Sequence, residues 1–429
     1  MTSKRKKFLA MQLYPKNGFV LTMNTSILAD SCQAFVDQLA DLQAQLDAET
    51  DPFHKRAIIR QIAEVKRELV ACRAVHPNLV ALIRDIMDAT APDSYRFVVC
   101  NQTSILGSGF HGYSRTTSDP PALRVALDDR LNIASMSKTL TAVAVLSALQ
   151  EKHLEADTLV ADFLPTEWTL NSNVKRLTFR DFLTHRTGFD ETTDKSDYDG
   201  IRNSLEVGPP NAIQRDYNYR NINFAIFRII LPYLDSYDPK TQKVQLVLSG
   251  NEPPERVLAS LYIASVNKRV LTPSGVAVAG CDSKTLVGGL PVLLYGFNPG
   301  DTHGVDLGDQ TLVCGAEGWS LSVKDYARFL QALLFTEILV SNATRALMLT
   351  GGPLEHRGLG MNLDHQVAGS NVYSHGAWIP VGDAQVAGWY LYFQATDIIV
   401  VALSNAGHNP HQPNWFDSVK GAYARVFAH

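Results

Sequence analysis

Cysteine is scarce and scattered in this chain. The five residues, Cys32, Cys72, Cys100, Cys281 and Cys314, include no Cys-x-x-Cys pair. An odd, dispersed set argues against a disulfide framework or a zinc ribbon and suits reduced thiols in a cytoplasmic protein. His-Glu-x-x-His is missing, and His408-x-x-His411 stands in a Pro/Asn-rich stretch that makes a poor metal site, so no metal and no cofactor is expected. No apolar run approaches membrane-spanning length. The basic start Met1–Lys7 has the character of an export signal, but Pro15, Lys16 and Asn17 interrupt the apolar run that should follow. The expected location is therefore cytoplasmic, with export left open. A formal charge of −4 gives no strong field of either sign, which argues against a nucleic-acid partner. Gly-x-Ser-x-Gly is absent, so a hydrolase built on a strand–turn–helix elbow is not expected. The run Gly107–Gly112 matches a dinucleotide-binding glycine pattern in form only, because Ser114–Pro121 is turn-rich and opens no helix.

What is present describes a soluble globule with ample core: 45% of residues are hydrophobic and 19% charged. The length implies two or three domains, or one large domain with a subdomain. In residues 30–74, Phe35, Leu39, Leu42 and Leu46 recur at helical spacing, as do Ile58, Ile62, Val65 and Leu69. Thr50-Asp51-Pro52 lies between them as a cap and a first-turn proline, which predicts a helical hairpin. Acidic residues on its first helix and basic ones on its second suit antiparallel pairing or contact with another subunit. A brace on the main domain is at least as well supported as a partner site.

Further on, His76–Ala89 reads as a helix, Tyr95–Cys100 and Ser104–Tyr113 as strands, and Leu177–Phe189 as a helix closed by Gly188. A histidine in the last turn of such a helix, here His185, is read as a dipole partner rather than a base. Residues 190–216 are expected to be a loop bordering a site, and 250–312 a mixture of short strands and loops. Trp319–Leu330 reads as helix, Val386–Phe393 and Ile398–Leu403 as strands, and Trp415–Phe427 as a closing helix. Strands near both ends with helices between suggest one sheet assembled from N- and C-terminal segments.

The chemistry concentrates at Asn132-Ile133-Ala134-Ser135-Met136-Ser137-Lys138 and the small, apolar run Thr139–Leu149 behind it. A helix apolar on every side belongs inside the molecule. Spacing of three residues stacks Ser135 and Lys138 on one helical face, at a helix N-terminus that favours developing negative charge. Those are the parts of an activated serine. Ser-x-x-Lys is a weak pattern, however, and also occurs at Ser3/Lys6, Ser172/Lys175 and Ser265/Lys268. Ser265 has the most similar local sequence, yet Pro273 and Gly275 cut off any long apolar helix behind it. Context favours Ser135 and leaves Ser265 open.

Five blocks in order together resemble the serine β-lactamase and penicillin-binding-protein superfamily, in the branch of class C β-lactamases, D-aminopeptidases and related carboxylesterases. They are Ile133–Leu149, Leu177–Phe189, Tyr219-Arg220-Asn221, Gly318–Leu330 and His375-Gly376-Ala377. The resemblance covers about residues 76–429 and selects Ser135 over Ser265, since only Ser135 precedes the Tyr-x-Asn element. It implies that Ser135 is the nucleophile and Lys138 its proton acceptor, burial lowering the amine pKa in the required direction. Tyr219 corresponds to a second acid/base and Asn221 to the amide that orients Lys138 and substrate. His375 stands where the family carries a lysine or histidine, with Gly376 and Ala377 lining the substrate strand. The backbone N–H groups of Ser135 and Trp378 correspond to the oxyanion hole. Two departures stand out: an imidazole grips a carboxylate less firmly than a lysine does, and Ala377 adds a methyl where the family keeps glycine.

The expected fold is thus α/β (α+β), β-lactamase/transpeptidase-like, a central antiparallel sheet flanked by helices with a mainly helical subdomain. Residues 1–75 form an extension holding the hairpin, and 76–429 the hydrolase domain. Its sheet comes from about 76–125 and 365–429, its insert from about 150–315. The expected function is a serine hydrolase working through an acyl-enzyme, foremost a carboxylesterase on small esters or amides. A D-selective peptidase, a β-lactamase, a biosynthetic acyltransferase and a catalytically idle ligand or partner binder are the alternatives. The expected partners are a small ester or amide, with no nucleic acid or membrane, and a second copy of the chain through the hairpin.

Overall fold

The computed structural model describes residues 38–74, 77–210, 216–248, 251–284, 289–297, 302–350, 358–408 and 413–427. The Ser3/Lys6 pair, the basic terminus, Cys32, Phe35 and His411 lie outside them. The chain divides into two compact units at Arg73/Ala74. In the first, helices α1 (38–48) and α2 (Pro52–Ala74) form the hairpin. Leu39, Leu42 and Leu46 pack on Ile58, Ile62 and Val65, as the heptad-like spacing requires. The Asp51 carboxylate accepts the backbone N–H of His54 at 3.2 Å, and Pro52 occupies the first helical position where its missing N–H costs nothing.

The second unit opens with α3 (Pro77–Thr90), β1 (Tyr95–Cys100) and β2 (Ile105–His111). Gly112, at φ +83°, breaks the expected longer strand, and a side chain there would meet the Asp93 carbonyl at 2.4 Å, so the position suits glycine alone. Short strands β3 (Tyr113–Arg115) and β4 (Leu123–Arg124) follow, then β5 (Leu131–Asn132) and the buried helix α4 (Ser137–Glu151). The helical part holds α5 (Phe179–Leu183), α6 (Tyr198–Val207), α7 (Ile222–Ala225), α8 (Phe227–Asp235), the small ladder β6 (Tyr237–Asp238) with β7 (Lys243–Val244), and α9 (Pro254–Val266). After β8 (Ser320–Leu321) come α10 (Val323–Phe335), α11 (Asn342–Thr350), β9 (Asn362–Val367), β10 (Ser370–Val381), β11 (Ala384–Phe393), β12 (Ile398–Ser404) and α12 (Trp415–Phe427).

Six strands form one antiparallel sheet in the order β2-β1-β12-β11-β10-β9. The N-terminal hairpin therefore joins the C-terminal strands, Tyr95 opposite Ser404 through Cys100 opposite Ile399. Both central strands are buried on both faces, which is why Ile398–Leu403 reads as an unbroken apolar run. Successive side chains still alternate. Phe97, Val99, Val400 and Ala402 pack with α3 and α12, whereas Val98, Val401 and Leu403 join the large core around α4.

Four expectations are corrected. The 190–216 loop contains α6, started by the Asp197 carboxylate accepting Gly200 N–H at 2.7 Å. The 250–312 stretch contains α9; Pro253-Pro254 looks like a breaker in sequence but opens the helix, with Leu258, Tyr262 and Val266 buried behind it. The helix expected over Leu177–Phe189 is only Phe179–Leu183, begun by the Thr178/Asp181 capping box and ended before His185 turns left-handed at φ +55°. The helix expected from Trp319 starts at Val323, because Ser320–Leu321 pairs with β5 and Ser322/Asp325 form a second capping box.

Candidate active site

Ser135 lies in a 3-10 turn, Ala134–Met136, just before α4 rather than inside it. Ala134 takes a left-handed conformation at φ +43°, held by its N–H on the Asn132 carboxamide oxygen at 2.7 Å. That sharp entry turns Ser135 outward while Ala134, Met136 and nearly all of α4 stay buried. A left-handed alanine is strained, and its surroundings hold it there.

Lys138 is fully buried in the first turn of α4. Its ammonium donates to Ser135 Oγ at 3.0 Å, Asn221 Oδ1 at 2.9 Å and the Ala316 carbonyl at 2.9 Å. Nothing in the sequence points to the last acceptor. It arrives because β5 pairs with β8 and Ile133 N–H bonds the Trp319 carbonyl at 2.8 Å, drawing residues 316–319 alongside α4. Burial lowers the Lys138 pKa to about 8, against the opposing pull of Glu317 and Asp194. Asn221 and Ala316 offer only acceptors to this amine, so they claim two N–H groups of the neutral form. The remaining lone pair then faces Ser135.

Tyr219 reaches the same oxygen from the other side, its hydroxyl donating to Ser135 Oγ at 2.8 Å. The residue is partly open to solvent, yet desolvation pushes its pKa up to about 12, against the lowering effect of the Ser135 hydrogen bond. The ring centroid lies 5.0 Å from Lys138 Nζ. At neutral pH the phenol thus keeps its proton, while the lysine is within reach of losing one.

His375 and Ala377 on β10 are buried, and Gly376 and Trp378 are exposed, as strand alternation dictates. The His375 ring stands 6.4 Å from that of Tyr219, with Nδ1 2.8 Å from the Gly376 carbonyl. Trp378 points its indole the other way, and Nε1 donates to Gln385 Oε1 at 2.9 Å. Strand β9 pairs with β10 only as far as Ser374, and β10 packs against the Ser135 turn. A side chain on Gly376 would meet open space, so packing does not demand that glycine. Beside these residues a pocket is lined by Leu183, Thr184, Tyr217, Met361 and the two histidines 185 and 375, and among the described residues its wall holds no carboxylate, ammonium or guanidinium.

The two rival Ser-x-x-Lys pairs among the described residues are not assembled this way. Ser265 is buried near the end of α9 with its hydroxyl unbonded while Lys268 is exposed, and Ser172 and Lys175 are both on the surface. Among the described residues no group of three or more His, Cys, Asp or Glu gathers as a metal site, and no helix is long and apolar enough to cross a membrane. Cys100, Cys281 and Cys314 are free thiols.

An antiparallel sheet made from both ends of the chain, with a buried helix presenting serine and lysine beneath it, is the β-lactamase/transpeptidase-like fold. Residues 80–243 match the family model described as Beta-lactamase. Among solved structures, a D-stereospecific amidohydrolase from Streptomyces sp. is similar at 17% identity and TM-score 0.57, over 82% of this chain and 98% of that one. A class C β-lactamase from Rhodobacter sphaeroides is similar at 16% identity and TM-score 0.58, over 81% of this chain and 99% of that one. EstCE1, described as a hydrolase with promiscuous acyltransferase activity, is similar at 15% identity and TM-score 0.57, over 82% and 98%.

Proposed function

We propose that the protein is a serine hydrolase that forms an acyl-enzyme on Ser135 with small, uncharged esters or amides. One observation carries the reading: a single hydroxyl, Ser135 Oγ, sits between a buried amine at 3.0 Å and a phenol at 2.8 Å. Neutral Lys138 takes the Ser135 proton as Oγ bonds to the substrate carbonyl carbon. Tyr219, protonated and in contact with the same oxygen, passes a proton to the leaving alcohol or amine and is reprotonated from Lys138. Water then enters by the reverse path, releases the acid and restores Ser135. The N–H groups of Ser135 and Trp378 are the proposed oxyanion hole, and the packing of β10 on the Ser135 turn supports that placement. Asn221 holds Lys138 on the serine.

The walls support that substrate class. No lysine or arginine side chain faces out of the 375–378 strand segment to hold a carboxylate, and among the described residues the neighbouring pocket has no charged side chain. The similar structures, an amidohydrolase, a hydrolase with acyltransferase activity and a β-lactamase, support acyl transfer to serine as the general chemistry. Intact-mass spectrometry after incubation with a fluorophosphonate tests the reading. The expected result is one adduct that maps to Ser135 and is lost in Ser135→Ala; no adduct on the wild-type chain would overturn it in favour of a ligand binder.

A further inference from the structure

His185 grips the peptide on both sides of Tyr219. Its carbonyl accepts the N–H of Asn218 at 2.9 Å, and its Nδ1 accepts the N–H of Arg220 at 3.3 Å. Between those two anchors its ring lies against the Tyr219 ring, centroids 4.4 Å apart at 32°. The imidazole is itself held: Asn223 Nδ2 lies 3.1 Å from the same Nδ1, and Asn223 Oδ1 accepts from Thr187 Oγ1 at 2.6 Å. With two N–H donors aimed at it, Nδ1 is the bare nitrogen and the ring proton sits on Nε2. The left-handed turn at φ +55° closes α5, with His185 N–H on the Phe182 carbonyl at 3.1 Å and Arg186 N–H on the Asp181 carbonyl at 2.8 Å, and it lets the same residue present both its carbonyl and its ring to the 218–220 segment.

We infer that His185 is the positioning residue for Tyr219, fixing the phenol on Ser135 through the ring contact and the 218–220 peptide. The inference rests on the proposed role of Tyr219 as proton carrier and adds a dependence that role does not contain. Tyr219 is partly open to solvent, so its own packing does not fix the hydroxyl. Three contacts from a buried residue do. A phenol free to swing leaves Oγ for much of the time, and misplacement of a catalytic group by about 1 Å costs on the order of 10² in rate.

The test is a double-mutant cycle on the full chain, read as the rate of Ser135 labelling by a fluorophosphonate and as kcat and KM on nitrophenyl acetate. His185→Asn suits the left-handed turn and keeps the carbonyl anchor, but removes the ring. Expected is a fall of about 5- to 20-fold in labelling rate and kcat with KM within twofold, and less than a twofold effect of the same change in the Tyr219→Phe background. An equal fall in both backgrounds would overturn the positioning role and leave the function reading intact. Full activity of Tyr219→Phe alone would overturn both, because there would be no phenol to position. If His185→Asn does not fold, by melting temperature, Asn223→Ser loosens the imidazole from its far side and carries the same cycle: a fall confined to the Tyr219 background supports the positioning role, and an equal fall in both overturns it.

Discussion

Replacing Asn221 by aspartate probes the lysine through its nearest polar neighbour. The change is isosteric, keeps an oxygen 2.9 Å from Lys138 Nζ, and adds one negative charge. Lys138 in the wild-type protein has its pKa lowered to about 8, so roughly one molecule in eleven carries the neutral amine at pH 7. The rate should therefore rise with pH and level off above about 8. An opposite charge within about 4–6 Å favours the ammonium by about 1–3 pH units. In Asn221→Asp the rising limb moves to about pH 9–11, and labelling of Ser135 at pH 7 falls by about 10- to 10³-fold. The signature is recovery: through the alkaline range, where wild type has already levelled off, the variant keeps gaining on it, since its serine, phenol and backbone are unchanged. Fluorophosphonate labelling measured from pH 6 to 10.5 makes the comparison without alkaline ester hydrolysis in the background. A uniform loss at every pH, or a limb displaced downward, would refute the view that Lys138 acts as a neutral base.

Two further outcomes follow from the same contacts. Lys138→Met abolishes labelling yet leaves the melting temperature at pH 7 unchanged or raised. Burying the ammonium lowers its pKa from 10.5 to about 8, a cost of about 3 kcal/mol that methionine avoids, partly offset by about 1–3 kcal/mol for the acceptors left unpaired. That cost is fully present below pH 8 and gone above 10.5, so wild-type stability rises across this interval and the variant's does not; a melting point several degrees lower at pH 7 would contradict it. Gly360→Ala destabilises by about 2–5 kcal/mol, seen as a lower denaturation midpoint, because the residue sits at φ +77° and a new methyl would stand 2.3 Å from Ala142 Cβ on α4; an unchanged midpoint would refute it.

Sequence patterns are most informative where one physical signal dominates. The all-apolar run after Ser135 announces a buried helix, and the period-two and fully apolar runs at 386–403 announce strands, since burial is written directly into residue type. Boundaries are less legible wherever two signals compete. Pro253-Pro254 disguises the start of α9, and the apolar residues around Phe182 conceal the halt at His185. The site itself divides in the same way. Ser135 and Lys138 are three residues apart and visible as a pair, whereas Tyr219, Asn221 and His375 are reachable only through resemblance. The carbonyl of Ala316 and the grip of His185 on residues 218–220 have no signal in residue type at all: one is main chain, the other depends on a left-handed turn.

Pairing Tyr95 with Ser404 has a temporal side. At synthesis rates of about 5–20 residues per second, some 300 residues, or roughly 15–60 s, separate the birth of the first middle strand from that of its neighbour. Ser135 and Lys138 leave the ribosome early, but the wall opposite them, His375 to Trp378, does not yet exist. On the proposed reading, a half-made chain therefore has its nucleophile without a cleft, and reactivity switches on only as the last strands zip in.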